Sequence, residues 1–219
     1  MLSSSEMESL KNEGWLKKNI NITSKHELLN VGKFLGLPVP SRTNGNLIEE
    51  LRPIEKREAH KNSLSSRYGT NNFPLHTDTA YRKVPVRYII LYAKNPGSGR
   101  RPTLLVDGFK SIDETISKKL ESAIIKIKNG KYSFICNMLE VNNLGHYCLR
   151  LDQDCMIPAT RESAEVLDEY IDLLAKQKQL EISWNTGDLL VIDNWRMLHG
   201  RGKAESKDDN RLLYRLNLL

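Results

Sequence analysis

The chain has 219 residues, of which 39% are hydrophobic and 27% are charged, and its formal net charge is +6. These values exclude a disordered or fibrous chain and suit one domain over residues 1–219, with residues 1–23 as a frayed N-terminal segment. No apolar run of about 18 residues occurs, and the N-terminus lacks the basic-then-apolar order of a signal peptide, so we expect a cytoplasmic protein without a membrane partner.

Neither the positive charge nor the cysteines indicate a specialised class of protein. The basic residues are spread along the chain in short clusters such as Arg100 and Arg101. Because no aromatic and basic signature of a nucleic-acid-binding module accompanies them, we expect no nucleic-acid partner. Three cysteines without a Cys-x-x-Cys pair argue against a disulfide framework or a structural zinc site, so reduced thiols are expected.

The first third of the chain predicts one helix followed by irregular structure. From Ser24 onwards, apolar residues recur at helical spacing, and the helix is expected to end near residue 36. Residues 38–70 contain three prolines and the turn-forming pair Asn44 and Gly45, which favours turns and short strands. The loop at residues 62–72 is where we expect a lid over a substrate.

The rest of the chain predicts many short strands and two more helices. Ser111 and Glu114 resemble a capping box for a helix that runs to residue 129, and a second amphipathic helix is predicted over residues 160–179. Without a strand–helix–strand alternation, this pattern predicts a mainly β (α+β) fold with flanking helices, a double-stranded β-helix or jelly roll of cupin type. The predicted strands are 86–92, 103–106, 132–139, 146–151, 181–184, 188–193 and 211–218.

Two histidines and one aspartate are the candidate metal ligands. His76 and Asp78 stand two residues apart, so on an extended strand they point to the same face. Near the C-terminus, an apolar run carries His199 out to a predicted glycine-flanked turn. Two imidazoles and a carboxylate form the facial triad of non-haem Fe(II) oxygenases. Taken alone, the pair at 76 and 78 also fits a hydrogen-bonded structural pair at a strand edge.

The order of motifs along the chain narrows this choice. Thr103 follows Asp78, and Arg211 and Arg215 follow His199 by 12 and 16 residues. Together these segments resemble the taurine dioxygenase and clavaminate synthase-like superfamily of Fe(II)/2-oxoglutarate-dependent oxygenases, the TauD/TfdA type. The matching segments are 73–78 (FPLHTD), 102–108 (PTLLVDG), 187–194 (GDLLVIDN), 198–201 (LHGR) and 211–215 (RLLYR).

The resemblance implies a role for each residue of the pattern. His76, Asp78 and His199 would be the catalytic metal ligands of Fe(II), leaving positions for 2-oxoglutarate and O2 as cosubstrates. Arg211, with the Thr103 hydroxyl, would bind the distal carboxylate of 2-oxoglutarate, because a guanidinium matches a carboxylate in geometry. Arg215 is expected near the inner carboxylate of the cosubstrate or near an anionic group of the substrate.

The implied reaction is the hydroxylation of an unactivated C–H bond, with release of succinate and CO2. Residues that flank the motifs predict a small carboxylate-bearing substrate, such as an amino acid or a natural-product intermediate. The chain is short for this family, which suggests an open pocket that could also admit a substrate tethered to a carrier protein. The candidate substrate-binding residues are Asn72, Arg67, Tyr81, Arg82 and Arg196.

Three alternatives remain open from the sequence. The first is an enzyme of the same family that degrades sulfonates or related anions. The second is a basic binding module without catalysis, whose binding to nucleic acid would depend steeply on salt. The third is a zinc hydrolase with the same triad, in which Thr103 and the two arginines would have no role.

Overall fold

The fold is built on two antiparallel β-sheets with helices on their outer sides. The computed structural model describes residues 2–42, 45–61, 63–130, 132–142, 145–206, 208 and 210–219. The helices in these ranges are α1 Ser4–Glu13, α2 Lys25–Lys33, α3 Leu64–Tyr68, α4 Glu114–Ser122 and α5 Arg161–Ala175, with a 3-10 helix at Gly108–Ser111. The strands are β1 Trp15–Asn19, β2 Pro38–Val39, β3 Ile48–Leu51, β4 Phe73–His76, β5 Tyr88–Asn95, β6 Thr103–Asp107, β7 Ile124–Asn129, β8 Tyr132–Asn137, β9 Leu139–Val141, β10 Tyr147–Leu149, β11 Met156–Pro158, β12 Leu180–Ile182, β13 Asp188–Asp193, β14 Met197–Arg201 and β15 Leu212–Leu218.

The strand order places the two ends of the chain side by side. The larger sheet runs β1-β13-β5-β15-β2, with β3 also paired to β15, and the smaller sheet runs β12-β6-β14-β4. A three-stranded sheet, β11-β7-β8, and the pair β10-β9 complete the structure. Because β4 and β14 are direct neighbours, residues more than 120 positions apart in the chain meet in one sheet.

Three hydrophobic clusters hold these layers together. The first lies between the two main sheets and joins Leu91 and Leu190 of the larger sheet to Leu105 of the smaller one. The second covers the outer face of the larger sheet with α1 and α2, and includes Leu28. The third packs α4 and α5 over the outer face of the smaller sheet, and includes Leu120. The predicted mainly β architecture with flanking helices is therefore observed.

Two of the predicted helices are present at their expected positions. α2 begins after Ser24, whose side chain accepts a hydrogen bond from the Glu27 amide, and α5 begins after Thr160 in the same way. Within the described residues, no helix is long and apolar enough to cross a membrane. The predicted turn at Asn44 and the start of the predicted lid at Asn62 lie outside the described residues, and the rest of that loop contains the short helix α3.

The prediction of one helix from Ser111 to residue 129 is wrong. α4 is capped by Asp113 rather than Ser111, and it ends at Ser122. The following β7 has Ile125 and Ile127 buried, with lysines between and after them on the exposed side. This alternation has the period of a strand, and it replaces the helical spacing as soon as α4 ends.

The N-terminal segment is also more regular than the sequence predicts. Instead of a frayed segment over residues 1–23, α1 starts with a reciprocal capping box between Ser3 and Glu6. β1 then pairs with β13 along its whole length, and Leu10 of α1 is buried against the larger sheet. Edge pairing and this buried contact supply the stability that helix propensity alone does not provide.

Candidate active site

His76 and His199 form a buried cross-strand pair. They lie directly opposite each other on β4 and β14, with ring centroids 4.4 Å apart and both residues less than 10% exposed. His199 therefore lies within a strand, and the prediction of a turn at this position is wrong. Strand pairing fixes both rings on the same face, where they point towards the larger sheet.

The two imidazoles differ in their hydrogen bonds. Nδ1 of His76 lies 3.0 Å from the carbonyl oxygen of Pro74, a contact in which Nδ1 is the donor, so Nε2 is the nitrogen left for another partner. Burial, reinforced by the positive potential of His76, lowers the pKa of His199 to about 3, so this ring is neutral. Nδ1 of His199 is buried without a hydrogen-bond partner among the described residues.

Asp78 is held beside this pair by its backbone. It lies two residues beyond the end of β4, so the predicted shared strand with His76 is not observed. The Asn194 side chain accepts a hydrogen bond from the Asp78 amide at 2.8 Å and donates one to its carbonyl at 3.1 Å. The next residue, Thr79, has a φ of 57°, and its amide donates to Oδ1 of Asp78 at 2.9 Å.

The Asp78 carboxylate is ion-paired with Arg215. Nη1 of Arg215 lies 2.5 Å from Oδ2 of Asp78. Burial raises the pKa of Asp78, but Arg215 and the two histidines outweigh this effect, so the net pKa is below its usual value and the group is an anion. Arg215 also pairs with Glu49 and donates to the Ser41 hydroxyl at 3.2 Å.

The donor set fits a ferrous ion in chemistry, while the carboxylate is not yet in a ligand position. Two imidazoles and one ionised carboxylate are the donors of a facial triad. Within the described residues, however, no three His, Cys, Asp or Glu side chains are gathered closely enough to hold a metal ion. The difference lies at Asp78, because Arg215 and the Thr79 amide engage its two oxygens.

A second charged cluster surrounds the other end of the same strands. Thr103 of β6 lies opposite Arg201 of β14. The next inward-facing pair along these strands contains His199, two residues or roughly 7 Å away along the strand. Arg101, Arg201 and Arg211 meet here around the buried Asp208. Burial and the Arg101 charge lower the pKa of Arg211 to about 10 despite Asp208.

The Thr103 hydroxyl is free to donate towards this cluster. It accepts a hydrogen bond from the indole nitrogen of Trp184 at 3.1 Å, so its own proton remains available. A cavity of about 680 Å³ lies next to Trp184, and its lining includes Asn72, Arg101, Glu181 and Glu205 but not Thr103 itself. This end of the sheet therefore offers hydrogen-bond donors and positive charge around Arg101 and Arg211, next to a cavity of mixed charge.

A family model matches the C-terminal part of the chain. Residues 139–217 match the family described as taurine catabolism dioxygenase TauD, TfdA family. The predicted family resemblance is thereby confirmed, and the matched segment contains His199, Arg211 and Arg215.

The chain is similar to a curated protein in sequence and to solved structures in fold. Human mitochondrial trimethyllysine dioxygenase is 27% identical over 151 residues, an alignment that covers 58% of this chain and 36% of that protein. The chain thus spans about a third of the length of the curated relatives that it matches. An asparagine oxygenase bound to Fe(II), 3-hydroxyasparagine and succinate has a TM-score of 0.75 and 15% identity, and covers 98% of this chain and 78% of its own.

A second solved structure gives the same fold. The non-haem iron oxygenase OrfP, bound to iron, succinate and 3-hydroxyarginine, has a TM-score of 0.75 and 18% identity, and covers 98% of this chain and 77% of its own. At these identities the likeness concerns the fold. It confirms the predicted jelly roll for this chain.

The predicted substrate residues of this chain fall into two groups. Tyr81 and Arg82 lie near Asp78, where they donate hydrogen bonds to the carbonyls of Ser41 and Pro40. Arg215 donates to the Ser41 side chain, so the segment at residues 40–41 links all three.

The other three residues lie elsewhere. Asn72 lines the cavity beside Arg101 rather than the histidine pair. Arg67 is exposed and pairs with Asp154. Arg196 binds Asp107 at 2.6 Å and donates to the backbone carbonyls at the end of α1, a role in packing the N-terminal helix.

Sequence reasoning missed three charged residues that the fold brings to these clusters. Glu49 comes from β3 to pair with Arg215, and Arg101 and Asp208 join Arg211. Arg101 stands two positions before Thr103, and this proximity is the one clue in the sequence. Glu49 and Asp208 lie in stretches that carry no recognisable motif, so only the folded chain reveals them.

Proposed function

We propose that this chain is an Fe(II)- and 2-oxoglutarate-dependent oxygenase that hydroxylates an unactivated C–H bond of a small amino-acid substrate. The observation that carries the proposal is the buried histidine pair beside Asp78, with an arginine-rich cluster one step along the same strands. A metal site at the histidine pair and an anion site at the arginine cluster, at this spacing, suit a five-carbon 2-oxo dicarboxylic acid.

His76, His199 and Asp78 would hold the metal. The histidines are fixed by strand pairing, so binding requires little reorganisation of either ring. Asp78 would complete the triad when its carboxylate moves from Arg215 to the metal, and Glu49 remains as the counter-ion of Arg215. When bound, the ferrous ion and 2-oxoglutarate supply the O2-dependent oxidising power that breaks a C–H bond.

Thr103 and Arg211 would bind the distal carboxylate of 2-oxoglutarate. The hydroxyl proton of Thr103 is unused, and Arg211 shares a single carboxylate with Arg101. Both residues are nearly buried, where a charge-assisted hydrogen bond is strong because water does not compete.

The surroundings of Arg215 support an amino acid as the substrate class. Arg215 and Glu49 offer opposite charges next to Asp78, with Tyr81 and Arg82 beside them. An α-amino acid carries both complementary charges, and because taurine is also a zwitterion, the turnover comparison below decides between a carboxylate and a sulfonate. The solved relatives hold hydroxylated asparagine and arginine, which is consistent with this class.

An anaerobic titration tests the proposal most directly. Adding Fe(II) and then 2-oxoglutarate should produce the weak visible charge-transfer band of the chelate. Succinate release is then compared among free amino acids, carrier-tethered amino acids and taurine. Turnover with taurine alone would favour the sulfonate alternative. No band, together with salt-dependent binding of nucleic acid, would favour the binding module.

A further inference from the structure

We infer that Arg101 is a second arginine of the dicarboxylate subsite, and that Asp208 positions Arg101 and Arg211 for a shared anion. This inference rests on the proposed function. It adds to that function one residue that would contact the cosubstrate and one that would act through its neighbours.

The charge balance of the cluster favours a bound anion. Arg101 and Arg211 are each 6% exposed, and Arg201 lies within electrostatic reach of both. Among the described residues, Asp208 is the one carboxylate in this cluster. Buried cations are stable only when they are paired. In the described part of the chain, the guanidiniums of Arg101 and Arg211 therefore share one carboxylate, while Arg201 donates to the carbonyls of Gly69 and Asn71, and a bound carboxylate would give the buried pair a second anionic partner.

Asp208 lies between the two buried arginines. Its Oδ2 is 3.4 Å from Nε of Arg101 and 3.7 Å from Nε of Arg211, so one oxygen faces the inner nitrogen of each side chain. Nη1 of Arg101 donates to the Gly202 carbonyl, and Nη2 of Arg211 donates to the Arg101 carbonyl. These contacts fix the orientation of both guanidiniums.

This arrangement leaves one terminal nitrogen of each guanidinium unused. Within the described residues, Nη2 of Arg101 and Nη1 of Arg211 make no hydrogen bond. Nε of Arg211 is also buried without a hydrogen-bond partner. Donors from two planar guanidiniums suit an anion with two oxygens, and they leave Thr103 to supply a further donor.

The backbone around Asp208 is shaped to accommodate its carboxylate. Oδ1 of Asp208 accepts a hydrogen bond from the Gly99 amide at 3.2 Å. A Cβ atom at Gly97 would lie 2.0 Å from the same oxygen, and a Cβ at Gly99 would lie 2.8 Å from Cβ of Asp208. The two glycines thus make room for a buried carboxylate, which holds the segment before β15 against the segment before β6.

Arg101 also borders an open cavity. It lines the cavity of about 680 Å³ together with Trp184, whose indole holds the Thr103 hydroxyl. The neighbouring Arg100 lines the same cavity but lies outside the arginine cluster, since its side chain is 80% exposed and lies 3.7 Å from the carboxylate of Glu205. The chain therefore contains its own matched control one residue from the test position.

The test is a comparison of ligands by isothermal titration calorimetry under anaerobic conditions. Wild type, Arg101→Ala, Arg101→Lys, Asp208→Asn and Arg100→Ala are titrated with 2-oxoglutarate and with 2-oxobutyrate in the presence of Mn(II). Glutarate is titrated without metal, so that the arginine cluster is probed independently of the metal ligands. Circular dichroism and Mn(II) affinity confirm that each variant is folded.

Arg101→Ala should weaken binding of 2-oxoglutarate and glutarate by about tenfold to a hundredfold, because it removes charge-assisted hydrogen bonds. Binding of 2-oxobutyrate, which lacks the distal carboxylate, should stay unchanged, and Arg100→Ala should behave as wild type. Arg101→Lys should show a smaller loss, because it keeps the charge but not the planar fork. Asp208→Asn should also weaken dicarboxylates selectively.

Each of the following results would overturn the inference. Arg101→Ala could bind 2-oxoglutarate as tightly as Arg100→Ala does. Alternatively, Arg101→Ala could lose affinity equally for both 2-oxo acids, and this equal loss would indicate a purely structural role. If Arg101→Ala does not fold, unchanged dicarboxylate affinity in Arg101→Lys would overturn the inference instead. If wild type with Mn(II) binds no 2-oxoglutarate, the proposed function fails and the inference fails with it.

Discussion

Two arginines four residues apart have opposite electrostatic surroundings. Arg215 lies within β15, where burial lowers its pKa but the facing carboxylates of Asp78 and Glu49 raise it by more. Arg211 lies just before the same strand and shares one carboxylate with Arg101, and burial lowers its pKa to about 10. One backbone segment thus serves an anion-rich cluster at one end and a cation-rich cluster at the other.

The difference shows how the two clusters can attract opposite ligands. Arg215 is paired with two carboxylates, those of Asp78 and Glu49, so an added cation such as a metal ion is stabilised beside them. Among the described residues, Arg101 and Arg211 share the single carboxylate of Asp208, so an added anion is stabilised there. A chelating dicarboxylate that spans both clusters would bind the metal at one end and arginine at the other.

The largest effect is expected when the anion-rich cluster loses a metal ligand. His199→Ala removes a neutral imidazole from the buried pair, and metal affinity should fall on the order of a hundredfold or more, beyond the loss typical of outer-shell changes. Titration of Mn(II) by calorimetry measures this effect. His26→Ala, an exposed position on α2, is the control. Unchanged Mn(II) affinity in His199→Ala would show that the cluster at Arg215 does not hold the metal through His199.

The next largest effect should distinguish the two arginines. Arg211→Ala should weaken 2-oxoglutarate binding by about a hundredfold, because a buried charge-assisted contact is lost. Arg215→Ala should change 2-oxoglutarate affinity less and raise the KM for the amino-acid substrate more. Calorimetry and steady-state kinetics on both variants test this crossed pattern. Equal effects on cosubstrate and substrate in both variants would contradict the division into two clusters.

A stability effect is expected where Asn194 holds the Asp78 backbone. Its side chain bonds the amide and carbonyl of Asp78 and the carbonyl of Val86. Asn194→Ala should lower the free energy of unfolding by about 2 to 4 kcal/mol, because buried polar groups lose their partners. Urea unfolding measures this loss, with the exposed Asn185→Ala as control. A loss below that of the control would show that Asp78 is held by other contacts.

The smallest effect concerns the counter-ion of Arg215. In Glu49→Gln, Arg215 keeps only Asp78 as an anionic partner, so it competes more strongly with the metal. Mn(II) affinity should fall by roughly three- to tenfold. Glu50→Gln is the matched control, because Glu50 is paired with Lys25 and Arg52 on the surface. Tighter metal binding in Glu49→Gln would mean that Glu49 holds Arg215 against Asp78 instead of drawing it away.

The sequence is sufficient for the parts of the fold that short periodic patterns determine. Helices α2 and α5 are predictable from apolar spacing and a capping residue, and the mainly β class follows from many short strands. The predicted helix from Ser111 to residue 129 is wrong in its second half. Residues 123–127 continue the apolar spacing of α4, but pairing with β8 makes them a strand. Such tertiary preferences outweigh local propensity where β-branched residues are dense.

The candidate site is predictable where motifs carry it and not where folding assembles it. The motifs predict that His76 and His199 belong to one site, and in the structure the two residues lie opposite each other on neighbouring strands. Asp208 has no motif, and its meeting with Arg101 depends on the packing of two loops that are 107 residues apart. Contacts of this kind depend on loop geometry, which sequence spacing does not specify.

Thr79 combines an unfavourable conformation with two useful contacts. A β-branched residue with φ of 57° stores conformational energy of about 1 to 3 kcal/mol. In exchange, its amide bonds Asp78 and its hydroxyl accepts the Val86 amide at 2.9 Å. Glycine at position 79 would relieve the backbone strain, but it would also remove the hydroxyl that accepts the Val86 amide. Thr79 therefore accepts conformational strain and in return fixes the loop that positions the Asp78 carboxylate.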